Sequence, residues 1–129
     1  MPISLTLLAG IGLLYIVFGM LSGGRRSKTK TSLGAGSDPA MVKAFRAHAN
    51  LTEWAPIAVM LIAGMEYLEA PKILVASLAG VYFAARILHS TGILIEGDKP
   101  HIFRPIGALG GTIVIAWATI YVALNAGLL

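Results

Sequence analysis

Long apolar runs, separated by short polar segments, set the pattern of this chain. Four of these runs approach the roughly 20 residues that one α-helix needs to cross the hydrocarbon layer of a bilayer. We predict membrane spans at residues 3–21, 39–68, 71–94 and 103–128. The predicted fold class is therefore an all-α membrane protein, one domain built as a four-transmembrane-helix bundle.

Local signals place the ends of these helices. The segment that begins at Ser22 is rich in Gly, Ser, Thr and basic residues, which predicts a loop. Ser37 or Asp38 can cap the second helix, and Pro39 suits its first turn. Pro56 lies inside that helix and is expected to loosen or kink it. The connection at residues 69–71 is so short that the second and third helices must be antiparallel neighbours.

Composition supports the membrane interpretation and removes several classes of chemistry. Of 129 residues, 57% are apolar and 12% are charged, so a soluble fold would have little polar surface. The chain has no cysteine, which excludes disulfides, zinc–cysteine sites and cysteine nucleophiles. We expect no metal site, because the three histidines are not clustered, and no nucleic-acid partner. The N-terminal run lacks the positive n-region of a signal peptide, so we interpret it as a retained span.

Basic residues are distributed unevenly between the loops. The second loop has only Lys72. The first and third loops and their helix margins carry Arg25, Arg26, Lys28, Lys30, Lys43, Arg46, Lys99 and Arg104. Loops rich in Lys and Arg stay on the cytoplasmic side. We therefore predict a multi-pass protein of a bacterial inner membrane, with both termini in the periplasm.

Polar side chains enter the second helix in the stretch KAFRAHANLTEWAP. Spacings of three, four and three residues place four of them on one face of a helix. They are Lys43, Arg46, Asn50 and Glu53. His48 and Trp54 are predicted to point elsewhere.

A second polar set lies on the third helix, in VYFAARILHSTGI. Tyr82, Arg86 and His89 follow each other at spacings of four and three, again on one face. Arg104 opens the fourth helix at the same end of the bundle. Gly107-x-x-x-Gly111 then suggests a close approach between helices. Three helices are thus predicted to turn polar groups towards the cytoplasmic half of the membrane.

Two explanations of these polar groups follow from the residues. In the structural one, Glu53 pairs with Arg86 and the pair fixes helix packing. In the functional one, a surplus of positive charge remains after such pairing and invites an anionic ligand from the cytosol. Lys43, Arg46, Arg86 and Arg104 supply that surplus.

Two motifs resemble a known family. FRAHANLTEWAPIAVMLIAGMEY carries an Arg-Ala-x-x-Asn-x-x-Glu-x-x-Pro pattern, and ARILHSTG carries Arg-x-x-His-x-x-Gly. Both are similar to the membrane-associated proteins in eicosanoid and glutathione metabolism, the MAPEG family. The resemblance extends over all four spans. It implies a four-helix protomer, a homotrimer, and glutathione bound between protomers on the cytosolic side.

The resemblance also implies roles for individual residues. Arg46, Asn50 and Glu53 would be glutathione contacts from one protomer, and Arg86 and His89 would be contacts from the third helix. Tyr82, on the same face as Arg86, joins these candidate contacts. Arg104 is similar in position to the arginine that stabilises the glutathione thiolate, which makes it the candidate catalytic residue.

This sequence departs from the eicosanoid-making members. Trp54, His89 and Ile93 stand where those members have tyrosines, so the chain resembles a divergent bacterial branch. The first hypothesis is a glutathione-dependent transferase or peroxidase acting on lipophilic electrophiles. The alternative is a non-catalytic membrane protein that binds lipids or partners. A small transporter is less favoured, because no path of polar residues crosses the bundle.

Overall fold

The computed structural model describes residues 1–127, and within that range it contains four α-helices and no strand. The helices are α1 (Pro2–Thr29), α2 (Pro39–Tyr67), α3 (Lys72–Ile95) and α4 (Phe103–Asn125). The predicted all-α fold is confirmed, and α2 and α3 end within one residue of the predicted segments. The predicted end of the last span, residue 128, lies outside the described residues.

The predicted start of the first loop at Ser22 is wrong, because α1 continues through two glycines to Thr29, and the loop occupies residues 30–38. Arg26 and Lys28 lie in its last turn, where positive charge complements the helix dipole. This complement helps to offset the weak helix propensity of glycine. Lys30 is the C-cap of the helix, and its left-handed backbone has a φ of 52°.

Both predicted boundary signals of α2 act as expected. Asp38, rather than Ser37, is the N-cap, and its carboxylate accepts from the backbone N–H of Met41 at 2.8 Å. The helix runs without interruption through Pro56. The connection to α3 is closed by a hydrogen bond from Ala70 N to the Met65 carbonyl oxygen at 3.0 Å, and α2 and α3 pack as antiparallel neighbours.

Helices α2 and α3 form the centre of the bundle. α1 and α4 each pack against both of them, and in the described chain α1 and α4 do not touch each other. Ala47, Ala55 and Ala58 of α2 are buried together with Leu51 and Ile62. Small residues at these positions let neighbouring backbones approach closely, as in membrane bundles.

The outer surface agrees with a membrane location. α1, α3 and α4 are each long and apolar enough to cross a bilayer. α2 is also long enough, at 29 residues, but carries the row of polar side chains described above. Large apolar side chains such as Leu13, Met20, Ile73 and Leu109 are exposed on the outside. The chain is therefore a four-helix membrane protein.

Glu66 joins the end of α2 to the start of α1. Its carboxylate accepts from Ile3 N at 3.0 Å, from Ser4 N at 2.9 Å and from the Ser4 hydroxyl at 2.7 Å, and the terminal amino group lies 3.7 Å away. The backbone N–H groups of Ile3 and Ser4 have no acceptor within α1, because the first four N–H groups of a helix have no carbonyl oxygen one turn before them. Glu66 therefore caps α1 and holds the two helix ends at the same level.

Candidate functional site

Arg86 is the central charged residue of the bundle, and only 3% of it is exposed. Its guanidinium donates to Asn50 Oδ1 at 3.3 Å and to the Gly107 carbonyl oxygen at 2.9 Å. It also lies over the Tyr82 ring, 5.2 Å from the centroid. Within residues 1–127 no carboxylate is within ion-pairing distance of Arg86, and its Nε has no hydrogen-bond partner.

The predicted pair between Glu53 and Arg86 is therefore wrong. Glu53 instead lies 3.8 Å from Arg46, two turns earlier on the same helix, and both side chains are 52% exposed. Positions three apart on a helix differ by about 60° around its axis. Asn50 consequently faces α3, whereas Glu53 points to the outside of the bundle. The explanation that Arg86 only fixes helix packing required Glu53 as its ion-pair partner, and Glu53 does not pair with it.

A crevice of about 70 Å³ opens beside Arg86, between α2, α3 and α4. Its lining consists of Asn50, Trp54, Arg86, His89, Ala108 and Thr112. The prediction that Trp54 points elsewhere is wrong, because Trp54 follows Asn50 by one helical turn and shares its face. Thr112 was not predicted from the sequence as part of the site. Arg104, Ala108 and Thr112 follow each other at spacings of four, which places them on one face of α4, and this pattern could have identified Thr112.

Glycines make the space that Arg86 occupies. A Cβ at Gly111 would meet the Arg86 guanidinium, and a Cβ at Gly107 would meet the backbone of α3 at Ala85 and His89. The close helix approach predicted from these two glycines is confirmed. α4 therefore lies against α3 closely enough for a backbone carbonyl, rather than a side chain, to accept from the buried cation.

His89 and Arg104 are linked, but through the backbone. His89 Nδ1 donates to the Arg104 carbonyl oxygen at 2.8 Å, which ties the start of α4 to α3. The Arg104 guanidinium instead pairs with Glu96, just after α3, at 2.8 and 3.1 Å. The sequence analysis did not consider Glu96 as a partner. Arg104 is 44% exposed and does not line the crevice.

The remaining candidates lie around this centre. Tyr82 is fully buried beneath Arg86, and within the described chain its hydroxyl has no partner. Lys43 donates to the Glu96 carbonyl oxygen, so the polar face predicted on α2 divides between two directions. His48 points away from that face, as predicted, and its ring packs edge-on against Tyr15 of α1. No group of three His, Asp or Glu side chains in residues 1–127 is placed to hold a metal ion.

The structure thus brings together Asn50, Arg86 and His89, with Tyr82 below them. It leaves Arg46 and Glu53 on the outside of the bundle and Arg104 beside Glu96. Comparison with family models matches residues 4–124, nearly the whole chain, to the MAPEG family. A comparison with curated proteins finds no match to the chain.

Proposed function

The chain belongs to the MAPEG family, and from this membership we propose that it is a glutathione-dependent transferase or peroxidase acting on lipophilic electrophiles. In this proposal glutathione binds between protomers of a homotrimer, on the cytosolic side of a bacterial inner membrane. Both termini then lie in the periplasm, in agreement with the distribution of Lys and Arg.

The buried guanidinium of Arg86 is the observation that carries the proposal. Burying a charge without an opposite charge is costly, and such residues inside membranes usually serve a ligand or a transport path. Asn50 and Gly107 supply only neutral acceptors to this cation. An anionic ligand would complete the arrangement, and a carboxylate fits the forked donors of a guanidinium. Glutathione carries two carboxylates at neutral pH.

The size of the crevice supports a site shared between protomers. Ligand pockets usually measure about 300–1,000 Å³, whereas this crevice measures about 70 Å³. It is large enough for a carboxylate and far too small for a tripeptide. The rest of glutathione would therefore lie on the outer face of α2 and against a neighbouring protomer.

Arg46 and Glu53 are suited to that outer part of the site. Glu53 lies about 21 Å along α2 from Tyr67, well inside a hydrocarbon layer about 30 Å thick. A half-exposed carboxylate at this depth needs cover. A neighbouring protomer would supply it, while Glu53 binds the ammonium group of glutathione and Arg46 binds its second carboxylate. His89 and Tyr82 would position Arg86.

Arg104 is the residue we propose for the chemical step. The thiol of glutathione reacts as the thiolate, and a free thiol has a pKa of about 8.5. A guanidinium near the sulfur favours the anion. The thiol proton leaves to solvent, the sulfur forms a bond to the electrophilic carbon, and the leaving group departs with its bonding electrons. The electrophile would arrive from the bilayer.

Glutathione titration of the purified protein in detergent tests the proposal. We expect saturable binding and an ultraviolet absorbance band of the thiolate. Arg86→Gln should abolish both, and Lys72→Gln, which removes a charge at the other end of the bundle, should change neither. Saturable binding that is unchanged in Arg86→Gln would remove Arg86 from the site, and the absence of binding in the wild-type protein would remove glutathione.

The pairing of Arg104 favours a second candidate, a non-catalytic binding protein. Glu96 already neutralises this guanidinium, at 2.8 Å, which reduces its ability to stabilise a thiolate. In this alternative glutathione or a lipid binds at the same site and no conjugation follows. Binding without a thiolate band would favour the alternative.

A further inference from the structure

A groove of about 400 Å³ lies at the basic end of the bundle, between α1, the start of α2 and the end of α3. Its lining residues are Leu21, Arg25, Pro39, Ala40, Lys43, Ala44 and Leu94. None of these residues lines the Arg86 crevice. A smaller hollow shares Leu21 and Arg25 with the groove and extends it along α1 to Lys28.

Positive charge lines the rim of this groove. Arg25 comes from α1 and Lys43 from α2, and among residues 1–127 no carboxylate is within ion-pairing distance of either. Lys43 donates to the backbone carbonyl oxygen of Glu96, a neutral acceptor that leaves its charge in place. The carboxylate of Glu96 is already engaged by Arg104.

The two cations lie at the same depth. Glu66 holds the start of α1 level with the end of α2. At 1.5 Å per residue, Arg25 lies about 35 Å from Pro2, and Lys43 lies about 36 Å from Tyr67. The hydrocarbon layer is about 30 Å thick, so an upright bundle places both cations just beyond it, in the headgroup layer.

Leu21, Ala44 and Leu94 supply the apolar part of the groove lining. Leu21 precedes Arg25 by one helical turn and therefore lies nearer the hydrocarbon layer than Arg25. A ligand that satisfies both parts of the lining has a negative head and an apolar chain beside it. A free inorganic anion would use the cations and leave the apolar side chains uncovered.

We propose that this groove is a binding site for one anionic phospholipid. Its phosphate lies between Arg25 and Lys43, and the first part of an acyl chain covers Leu21, Ala44 and Leu94. Basic residues near a membrane surface each contribute about 1 kcal/mol of attraction to anionic lipid, which corresponds to about fivefold in affinity. The groove also fixes where the phosphate binds, because it brings one cation from α1 and one from α2 to the same phosphate.

Native mass spectrometry of the whole protein in detergent tests the proposal with phosphatidylglycerol and phosphatidylcholine. The wild-type protein should retain phosphatidylglycerol preferentially. Arg25→Gln combined with Lys43→Gln should weaken its binding about thirtyfold, or about fivefold for each cation removed. Lys30→Gln combined with Lys99→Gln removes two charges that do not line the groove, and because solvent screens their attraction for a phosphate held there, the affinity should stay within about twofold.

Three outcomes would overturn the proposal: equal retention of the two lipids, an equal loss in both double variants, or displacement of phosphatidylglycerol by millimolar inorganic phosphate. Lys43→Arg preserves the charge and should keep lipid binding. If the double variant does not fold, this variant is measured instead, and a loss of lipid binding in it would overturn the proposal. The glutathione titration reports on a different set of residues, so either proposal can fail while the other stands.

Discussion

The Arg86 guanidinium donates to the carbonyl oxygen of Gly107 at 2.9 Å, so the buried cation of α3 binds the backbone of α4. This contact is possible because Gly107 has no side chain to hold the two helices apart. The same close approach defines one wall of the crevice beside Arg86. One contact between α3 and α4 therefore both packs the two helices together and forms the crevice in which a ligand could reach the cation.

Gly107→Ala and Gly111→Ala should separate these two consequences. At Gly107 the new Cβ meets the backbone of α3, which cannot move aside, so we expect a loss of about 1–3 kcal/mol in stability. At Gly111 it meets the far end of the long Arg86 side chain, which can shift more easily than backbone, so glutathione binding should weaken with a smaller loss of stability than at Gly107. Thermal unfolding and glutathione titration measure the two effects. Gly12→Ala, which has open space around it, is the control, and equal effects of all three would contradict the prediction.

Arg86→Met distinguishes a ligand-binding cation from one that fixes packing. Even a complete buried ion pair can often be replaced by apolar side chains of similar volume with a neutral or stabilising effect of about 1–4 kcal/mol, because the desolvation cost of the charges is removed. Because Arg86 has no acid partner in the described chain, we expect unchanged or increased thermal stability together with loss of glutathione binding. A marked loss of stability in Arg86→Met would show instead that the residue serves packing.

Glu66→Gln should weaken the attachment of α1. The neutral amide keeps the size of the side chain but loses the charge that attracts the helix dipole and the terminal amino group. One amide oxygen also replaces the two carboxylate oxygens that accept from Ile3 and Ser4. The unfolding midpoint in detergent should fall below that of the wild-type protein. Glu69→Gln, an exposed acid nearby, should leave the midpoint unchanged, and equal midpoints for all three proteins would argue against the cap.

Helical periodicity accounts for much of what the sequence analysis predicted. It put Asn50 and Arg86 on faces that meet, while the capping and proline signals placed α2 and α3 within one residue of their observed ends. The partners of charged residues were less predictable. Whether Glu53 or Asn50 reaches Arg86 depends on the rotation of α2 by about 60°, which packing across the bundle determines.

The acids that the sequence analysis did not consider have partners in other elements. Glu66 caps α1 through Ser4, which lies 62 residues before it, and Glu96 follows α3 but pairs with Arg104 of α4. Local pattern carries no information on such contacts. The extension of α1 to Thr29 was missed because two glycines and a polar composition favour a loop, a weak preference that the rest of the helix overrode.

Arg104→Ala and Glu96→Gln test the thiolate role in opposite directions. If Arg104 stabilises the thiolate, its removal should lower the rate of conjugation to chlorodinitrobenzene by about 10²–10³, as for other donors to a developing anion. Glu96→Gln removes the competing carboxylate, so the thiolate band should increase. Retention of full activity in Arg104→Ala, with an unchanged band in Glu96→Gln, would exclude Arg104 from the mechanism.

Cysteine cross-linking tests whether a neighbouring protomer covers the outer face of α2. The chain has no cysteine, so one introduced residue is the only thiol. Ile57 and Met60 are exposed on α2 in the protomer and lie one and two turns beyond the half-exposed Glu53. If neighbouring protomers meet along this helix, Ile57→Cys or Met60→Cys should form covalent dimers in native membranes under mild oxidation. Ile73→Cys, an exposed position at the start of α3, is the control.

Because a ring of three protomers has one thiol per protomer, dimers plus a remaining monomer are expected rather than trimers. Equal cross-linking at all three positions would indicate random collision, and none on α2 would leave Glu53 facing lipid, which its charge makes costly.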